Sequence, residues 1–242
     1  MKPKANNLGF AFCFLLCLIV GFSSFAGEVR EDFDSQKLDS NLWKVTTAGK
    51  ASFTIDKGKL ILTSDGVTDG IFLYYVRKIE KEDITFEVAL DPSGIKDAGA
   101  IGFTKKLLIP TVNTDINPQF IATFMGVKPA GCYLMDETGN AQLAMSANYN
   151  PEQHIFRTEI AGDKITFFID QKEVGELKRE VSERYYMITP DPYTSHYAGS
   201  ISLDWIKIKG PNVQSVEIEA TLATTWGKRK SEVGSWKSEG KK

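Results

Sequence analysis

The chain has 242 residues, 42% of them hydrophobic, with 29 Lys and Arg against 31 Asp and Glu. That length suits one large domain, and so balanced a charge makes no electrostatic case for nucleic acid or an anionic membrane. The 3 cysteines are too few for a disulfide framework, so stability must come from a core.

Residues 1–26 read as a signal peptide. Lys2 and Lys4 are a positive start, Leu8 to Phe22 is apolar, and Ser24-Phe25-Ala26 offers small residues that place cleavage after Ala26. The alternative is a retained anchor. The run is shorter than the ~20 apolar residues of a spanning helix, so no membrane span is expected after cleavage. Leu16 stands before Cys17, where a lipid-anchored signal has a small residue. The protein is therefore expected to be secreted, or periplasmic in the cell envelope. Cleavage removes two lysines with Cys13 and Cys17, which leaves Cys132 alone and a net charge of −4.

The body then reads as strands and turns. Ala51 to Ile55 alternates and stops at Asp56-Lys57-Gly58, and Lys59 to Thr63 resumes, so the two form a hairpin. Gly70 to Lys78 follows. Asp83 to Leu90 puts Ile84, Phe86, Val88 and Leu90 on one face. Asp91-Pro92-Ser93-Gly94 ends it. Ala98 to Phe103 is small and apolar, as in a strand covered on both faces. Residues 105–118, with Pro110, Asn113, Asp115 and Pro118, read as a long loop. Phe120 to Val127 and Cys132 to Met135 return to strand, and Asp136 to Asn140 is a turn. Gln142 to Ala147 is another strand or a short helical piece. His154 to Ile160, Lys164 to Asp170 and Val174 to Leu177 form an antiparallel meander, and Gly199 to Lys209 is the closing strand. About a dozen strands are enough for two packed sheets. The domain is expected over 27–210, with a polar, basic tail at 211–242 that reads as disordered or as a sorting segment.

Three places carry a resemblance. They are Asp32-Phe33-Asp34 with Leu38-Asp39, Trp43 and Gly58-Lys59-Leu60, the Phe156 to Asp170 hairpin, and Ser202-Leu203-Asp204-Trp205-Ile206. In this order, over about residues 31–209, the chain resembles the concanavalin A-like lectin/glucanase superfamily, with laminin-G-like features. The resemblance implies an all-β, two-sheet antiparallel jelly-roll sandwich, many of whose members bind or hydrolyse polysaccharide. Family 16 glycoside hydrolases of this fold carry Glu-x-Asp-x-Glu or Glu-x-Asp-x-x-Glu on one strand, which sets the two carboxyl groups roughly 5–5.5 Å apart for retention. No segment of this chain matches. The keto-glycoside hydrolase pattern lacks its closing motif here. Gln153-His154-Ile155 and Arg157-Thr158-Glu159 echo polysaccharide lyase motifs, but on one strand, so those roles do not transfer.

No catalytic residue is therefore assigned. His154 and His196 read as structural, and Cys132 as a small core residue. Aromatic rings that could stack on sugars are Tyr74 or its neighbour Tyr75, Tyr133, Tyr149 and Tyr193, with Asp136, Asn148 and Arg157 as polar contacts. Relatives of the implied fold hold a structural calcium between the N- and C-terminal strands. Asp204 matches the carboxylate of that site and the Gly58 carbonyl a backbone ligand, unless Asp204 pairs with a nearby lysine. The expected partner is a polysaccharide or cell-surface glycan, bound without catalysis. The alternatives are an exported hydrolase or lyase, and a structural or adhesive envelope protein.

Overall fold

A computed structural model describes residues 27–64, 70–80, 83–96, 98–109, 121–127, 130–136, 138, 141–145, 152–191 and 199–213, with the backbone alone at 121–127, 130–133 and 141–145. Every regular element among them is a strand. In chain order these are β1 (Gly27–Glu31), β2 (Trp43–Ala48), β3 (Ser52–Asp56), β4 (Lys59–Ser64) and β5 (Gly70–Lys78). Then come β6 (Ile84–Asp91), β7 (Ala98–Thr104), β8 (Ile121–Val127), β9 (Ala130–Met135) and β10 (Ala141–Met145). The last five are β11 (His154–Ala161), β12 (Lys164–Ile169), β13 (Lys172–Lys178), β14 (Tyr185–Thr189) and β15 (Gly199–Gly210).

They form two antiparallel sheets in jelly-roll order. One runs β13-β12-β11-β6-β15-β4-β3, with β1 beside β15, and the other runs β10-β9-β8-β7-β14-β5-β2. The hairpins, the meander and the closing strand lie where alternation placed them. The segment at 141–145 is strand rather than helix. β1 and β2 escape a reading by pattern. β1 (GEVRE) buries only Val29 and exists because β15 supplies its ladder. β2 turns Trp43 and Val45 inward, but Lys44, Thr46 and Thr47 are polar.

Period two explains the core. Leu60 and Leu62 of β4, Phe86, Val88 and Leu90 of β6, and Phe156 of β11 point inward from one sheet. Leu73 and Tyr75 of β5, Ile101 and Phe103 of β7, and Tyr186 and Ile188 of β14 meet them from the other. Phe86 stacks on Tyr186 with centroids 4.1 Å apart and planes 9° apart. Burying each such side chain contributes roughly 1.5–3 kcal/mol. After β15 the chain turns and inserts Val213 into this core, so packing continues past residue 210.

The closing strand organises the rest. One side of β15 pairs with β6. The other side is shared: β4 takes Gly199–Leu203 and β1 takes Ile206–Gly210. Between them the register shifts at Leu203/Trp205, which leaves Asp204 on a bulge opposite the gap between β1 and β4.

Candidate functional site

Two places in this frame could take a ligand. The first is the outer face of the seven-stranded sheet. Inward positions on β5, β7 and β14 fill the core, so alternation turns Phe72, Tyr74, Ala100 and Met187 to the other side. There they form a second apolar cluster with Met135, and all but Met135 are fully buried. Leu107, Leu108 and Tyr185 pack against it.

The cover is a strap at residues 105–109, held by three hydrogen bonds. The Leu108 N–H donates to the Tyr74 hydroxyl at 3.1 Å, the Thr46 hydroxyl donates to the Leu108 carbonyl at 2.8 Å, and the Thr104 hydroxyl donates to the Lys106 carbonyl at 2.8 Å. Burial pushes the Tyr74 phenol well above its ordinary pKa, and the Leu108 N–H offsets part of the rise. Tyr74 is thus a neutral anchor for the strap. This corrects its expected role as a stacking platform: its ring has no exposed face. Tyr75 fails for a different reason, since it points into the core against Trp43 and Phe86.

The second place is where the first and last described strands, β1 and β15, meet the β3–β4 hairpin. The β3–β4 hairpin closes through Lys57 and Gly58, both at positive φ (50° and 73°), as a type I′ turn requires. Phe33 also has a left-handed backbone, φ 56°, although its ring is buried. Such a conformation costs a bulky residue about 1–2 kcal/mol. It is held by the core around the ring and by Glu31 Oε1, which accepts from the Phe33 N–H at 3.2 Å. Asp32 and Asp34 then present oxygens to the hairpin. A Cβ on Gly58 would lie 3.6 Å from Asp34 Oδ1 and 3.9 Å from the Asp32 carbonyl oxygen.

Carboxylate and carbonyl oxygens are the donors a calcium ion takes, so the residues here fit one in kind. Asp204 stands at the same junction but faces Lys59 Nζ at 3.9 Å. Among the described residues no three His, Cys, Asp or Glu side chains gather in a metal-binding group. A cation at this place would lean on backbone carbonyls and displace the lysine. Asp32 and Asp34 did not stand out as ligand candidates, although the signal was in the opening Asp-Phe-Asp itself.

The remaining candidates do not converge. Asp136 is buried in a turn, where its Oδ1 accepts from the Thr138 N–H at 2.9 Å and its Oδ2 from Arg179 at 2.6 Å. Its role is to tie the β9 end to the β13 end, which corrects the expectation of a ligand contact. Arg157 lies on the outer face of the other sheet, over the Phe168 ring at 3.9 Å and 3.2 Å from Glu159. In register it is next to Glu87, and Tyr74 belongs to the opposite sheet. Tyr133 pairs in register with Phe124 and Leu143. Cys132 pairs with Met125 and Met145. Asn148, Tyr149, Tyr193 and His196 lie outside the described residues, as do the expected signal segment and most of the tail. His154 has a partner that its sequence neighbourhood did not announce: its Nδ1 lies 2.6 Å from Asp170 Oδ2.

No family model matches the chain, and no curated protein matches it. Solved structures do. The endo-β-1,3-glucanase of Pyrococcus furiosus superposes with a TM-score of 0.54 at 13% identity, covering 75% of this chain and 92% of that one. The exoplasmic/lumenal domain of VIP36, in its Ca2+/Man3GlcNAc-bound form, gives 0.53 at 13% identity over 76% and 90%. A β-1,3-1,4-glucanase (lichenase) derived from a mouse hindgut metagenome gives 0.51 at 15% identity over 75% and 98%. Identities this low speak for the fold alone. With its two antiparallel sheets in jelly-roll order, the chain has the concanavalin A-like β-sandwich fold.

Proposed function

We propose that this protein is an exported, non-catalytic β-sandwich module that binds carbohydrate. The observation that carries the reading is the make-up of the outer face of the seven-stranded sheet. Its middle strand β7 brings Ala100, flanked by Met187, Tyr74 and Phe72, under the strap. Glycoside hydrolysis needs two carboxyl groups astride the bond, about 5–9.5 Å apart. Among the described residues, the part of this face under the strap is built from apolar side chains instead, and the sequence has no Glu-x-Asp-x-Glu segment. A glycan as ligand is supported by the company the fold keeps, which includes a glucanase and a Man3GlcNAc-bound domain. Export rests on residues 1–26, and a structural calcium at the Gly58–Asp204 junction belongs to the same reading.

The test is retention of the full chain on a panel of immobilised polysaccharides, with no release of reducing ends or unsaturated sugars. Silence in both assays, with surface retention that depends on the tail, would make it a structural envelope protein.

One observation favours a second reading, an exported glycan-active enzyme. The Asp170 carboxylate also accepts from the Ile155 N–H at 3.0 Å, so it is fixed while it orients the His154 imidazole. An imidazole so oriented is the usual form of a general base. Sugar release that disappears in His154→Ala would carry this reading over the first.

A further inference from the structure

The two outer faces of the sandwich meet their charges differently. On the eight-stranded sheet, Lys207 pairs with Glu87, Arg157 with Glu159 at 3.2 Å, and Lys164 with Glu176 at 2.5 Å. On the seven-stranded face, Lys44, Lys105 and Lys106 are exposed and have no ion-pair partner among the described residues. The described outward positions of its strands carry no Asp or Glu. Glu180 and Glu183 share an open depression with Lys105, and Glu183 is already held by Lys78 at 2.7 Å.

All three lysines stand on the strap or beside its anchor Tyr74. Lys44 is the register partner of Tyr74, whose hydroxyl holds the Leu108 N–H. Thr46, two residues on along the same face of β2, holds the Leu108 carbonyl. Lys105 and Lys106 begin the strap that these bonds fix. Ile109, the last described residue of the strap, is 63% exposed. The cations therefore stand on a backbone already immobilised, so a ligand does not have to order it.

We infer that this patch docks an anionic polysaccharide, one with uronate or sulfate groups along its chain. The inference rests on the carbohydrate-binding reading above and specifies the ligand class. Charge complementarity is its warrant: three exposed ammonium groups have no ion-pair partner among the described residues, and the described outward strand positions around them carry no carboxylate. The chain's slight net negative charge does not oppose this, because screening over roughly 8 Å lets the local sign decide. Counterion release from a polyanion adds a driving force that a neutral glycan lacks. An anionic bilayer is the poorer fit. Leu107 and Leu108 are partly buried against the Tyr74 cluster, which leaves Ile109 as the one exposed apolar side chain among the described strap residues to enter an acyl layer.

The experiment compares the full chain with two triple variants of equal charge change. K44E/K105E/K106E reverses the patch, and K37E/K172E/K209E reverses three exposed lysines elsewhere. Binding is titrated with polygalacturonate, a neutral β-glucan and phosphatidylglycerol vesicles, at low and high ionic strength. The expected result is salt-sensitive binding to polygalacturonate that falls at least about tenfold in the patch variant and survives in the other. The milder K44Q/K105Q/K106Q, with an unchanged melting temperature, guards against a folding defect. Retention on neutral glucan only overturns the inference and leaves the carbohydrate-binding reading standing. No retention on any glycan overturns both. Equal loss in the two triples, or binding to vesicles without binding to polygalacturonate, also overturns it.

Discussion

The Asp204 carboxylate and the Lys59 ammonium face each other at 3.9 Å across the gap where β1 and β4 share the edge of β15. Both groups are substantially exposed, so the pair itself contributes little, of the order of 0–1 kcal/mol. Lys59 follows Gly58, where an added Cβ would lie 3.6 Å from Asp34 Oδ1, so a cation that replaces this weak pair has oxygen donors on the Gly58 side. Adding calcium to chelated protein is therefore expected to raise the melting temperature. At a hundredfold excess over Kd the gain is about 2.7 kcal/mol, or roughly 5–10 °C for a domain of this size. Asp204→Ala should remove most of the shift. Identical thermal scans with calcium and with chelator would leave Lys59 as the native partner.

Gly94 lies against the start of β15. A Cβ there would stand 2.6 Å from the Ser200 carbonyl oxygen and would also collide with the Ser200 hydroxyl. The approach is fixed, because the Ser200 N–H donates to the Gly94 carbonyl at 3.0 Å. Gly94→Ala is expected to cost about 3 kcal/mol, at the upper end of overpacking effects. Adding Ser200→Ala removes the hydroxyl but not the carbonyl, so it should rescue only part of the loss. Urea midpoints of the single and double variants measure this.

Two buried tyrosines should respond in opposite ways to the same change. The Tyr186 hydroxyl is buried between the sheets with no hydrogen-bond partner, and burial alone pushes its pKa up. Tyr186→Phe removes an unsatisfied group and should hold or raise stability by about 1 kcal/mol. Tyr74→Phe takes away the acceptor of the Leu108 N–H and should cost about 1 kcal/mol. Hydrogen exchange at Leu108 should speed up in Tyr74→Phe and stay unchanged in Tyr186→Phe.

Stability should also carry a pH signature from Glu31. Burial raises its carboxyl pKa, the Phe33 N–H offsets part of this, and the nearby Asp39 and Asp32 raise it further. The native carboxyl therefore holds its proton more tightly than the unfolded chain does. Ionisation weakens the fold as pH climbs from the ordinary carboxylate value through the raised native one, and the loss persists above it. Glu31→Gln keeps an acceptor for Phe33 and removes the charge. Denaturation midpoints across pH should coincide for the two proteins below the window and favour the variant above it.

How far the sequence was legible follows from which forces act along the chain. Period-two runs such as Ile84–Leu90 and His154–Ile160 disclosed their buried face before any partner strand was known, because side-chain direction alternates within one strand. Asp56-Lys57-Gly58 likewise announced its hairpin, since only certain residues accept two positive φ values in succession. β1 could not be read this way, as its ladder comes from a strand nearly 180 residues later. Tyr74 and Asp136 looked like ligand contacts for a related reason. A lone Tyr or Asp has the same appearance whether it faces solvent, a strap or an arginine.

By itself the sequence determined the all-β class, the order of most strands and the want of a family 16 carboxylate motif. These are properties of local periodicity, turn chemistry and residue identity. Only the tertiary structure decided that residues 105–109 roof the outer face at Tyr74, that Asp204 meets Lys59, and that the Gly58 turn lies against Asp32 and Asp34. Each joins segments dozens of residues or more apart. Such contacts are set by sheet order and register, which no stretch of the chain encodes alone.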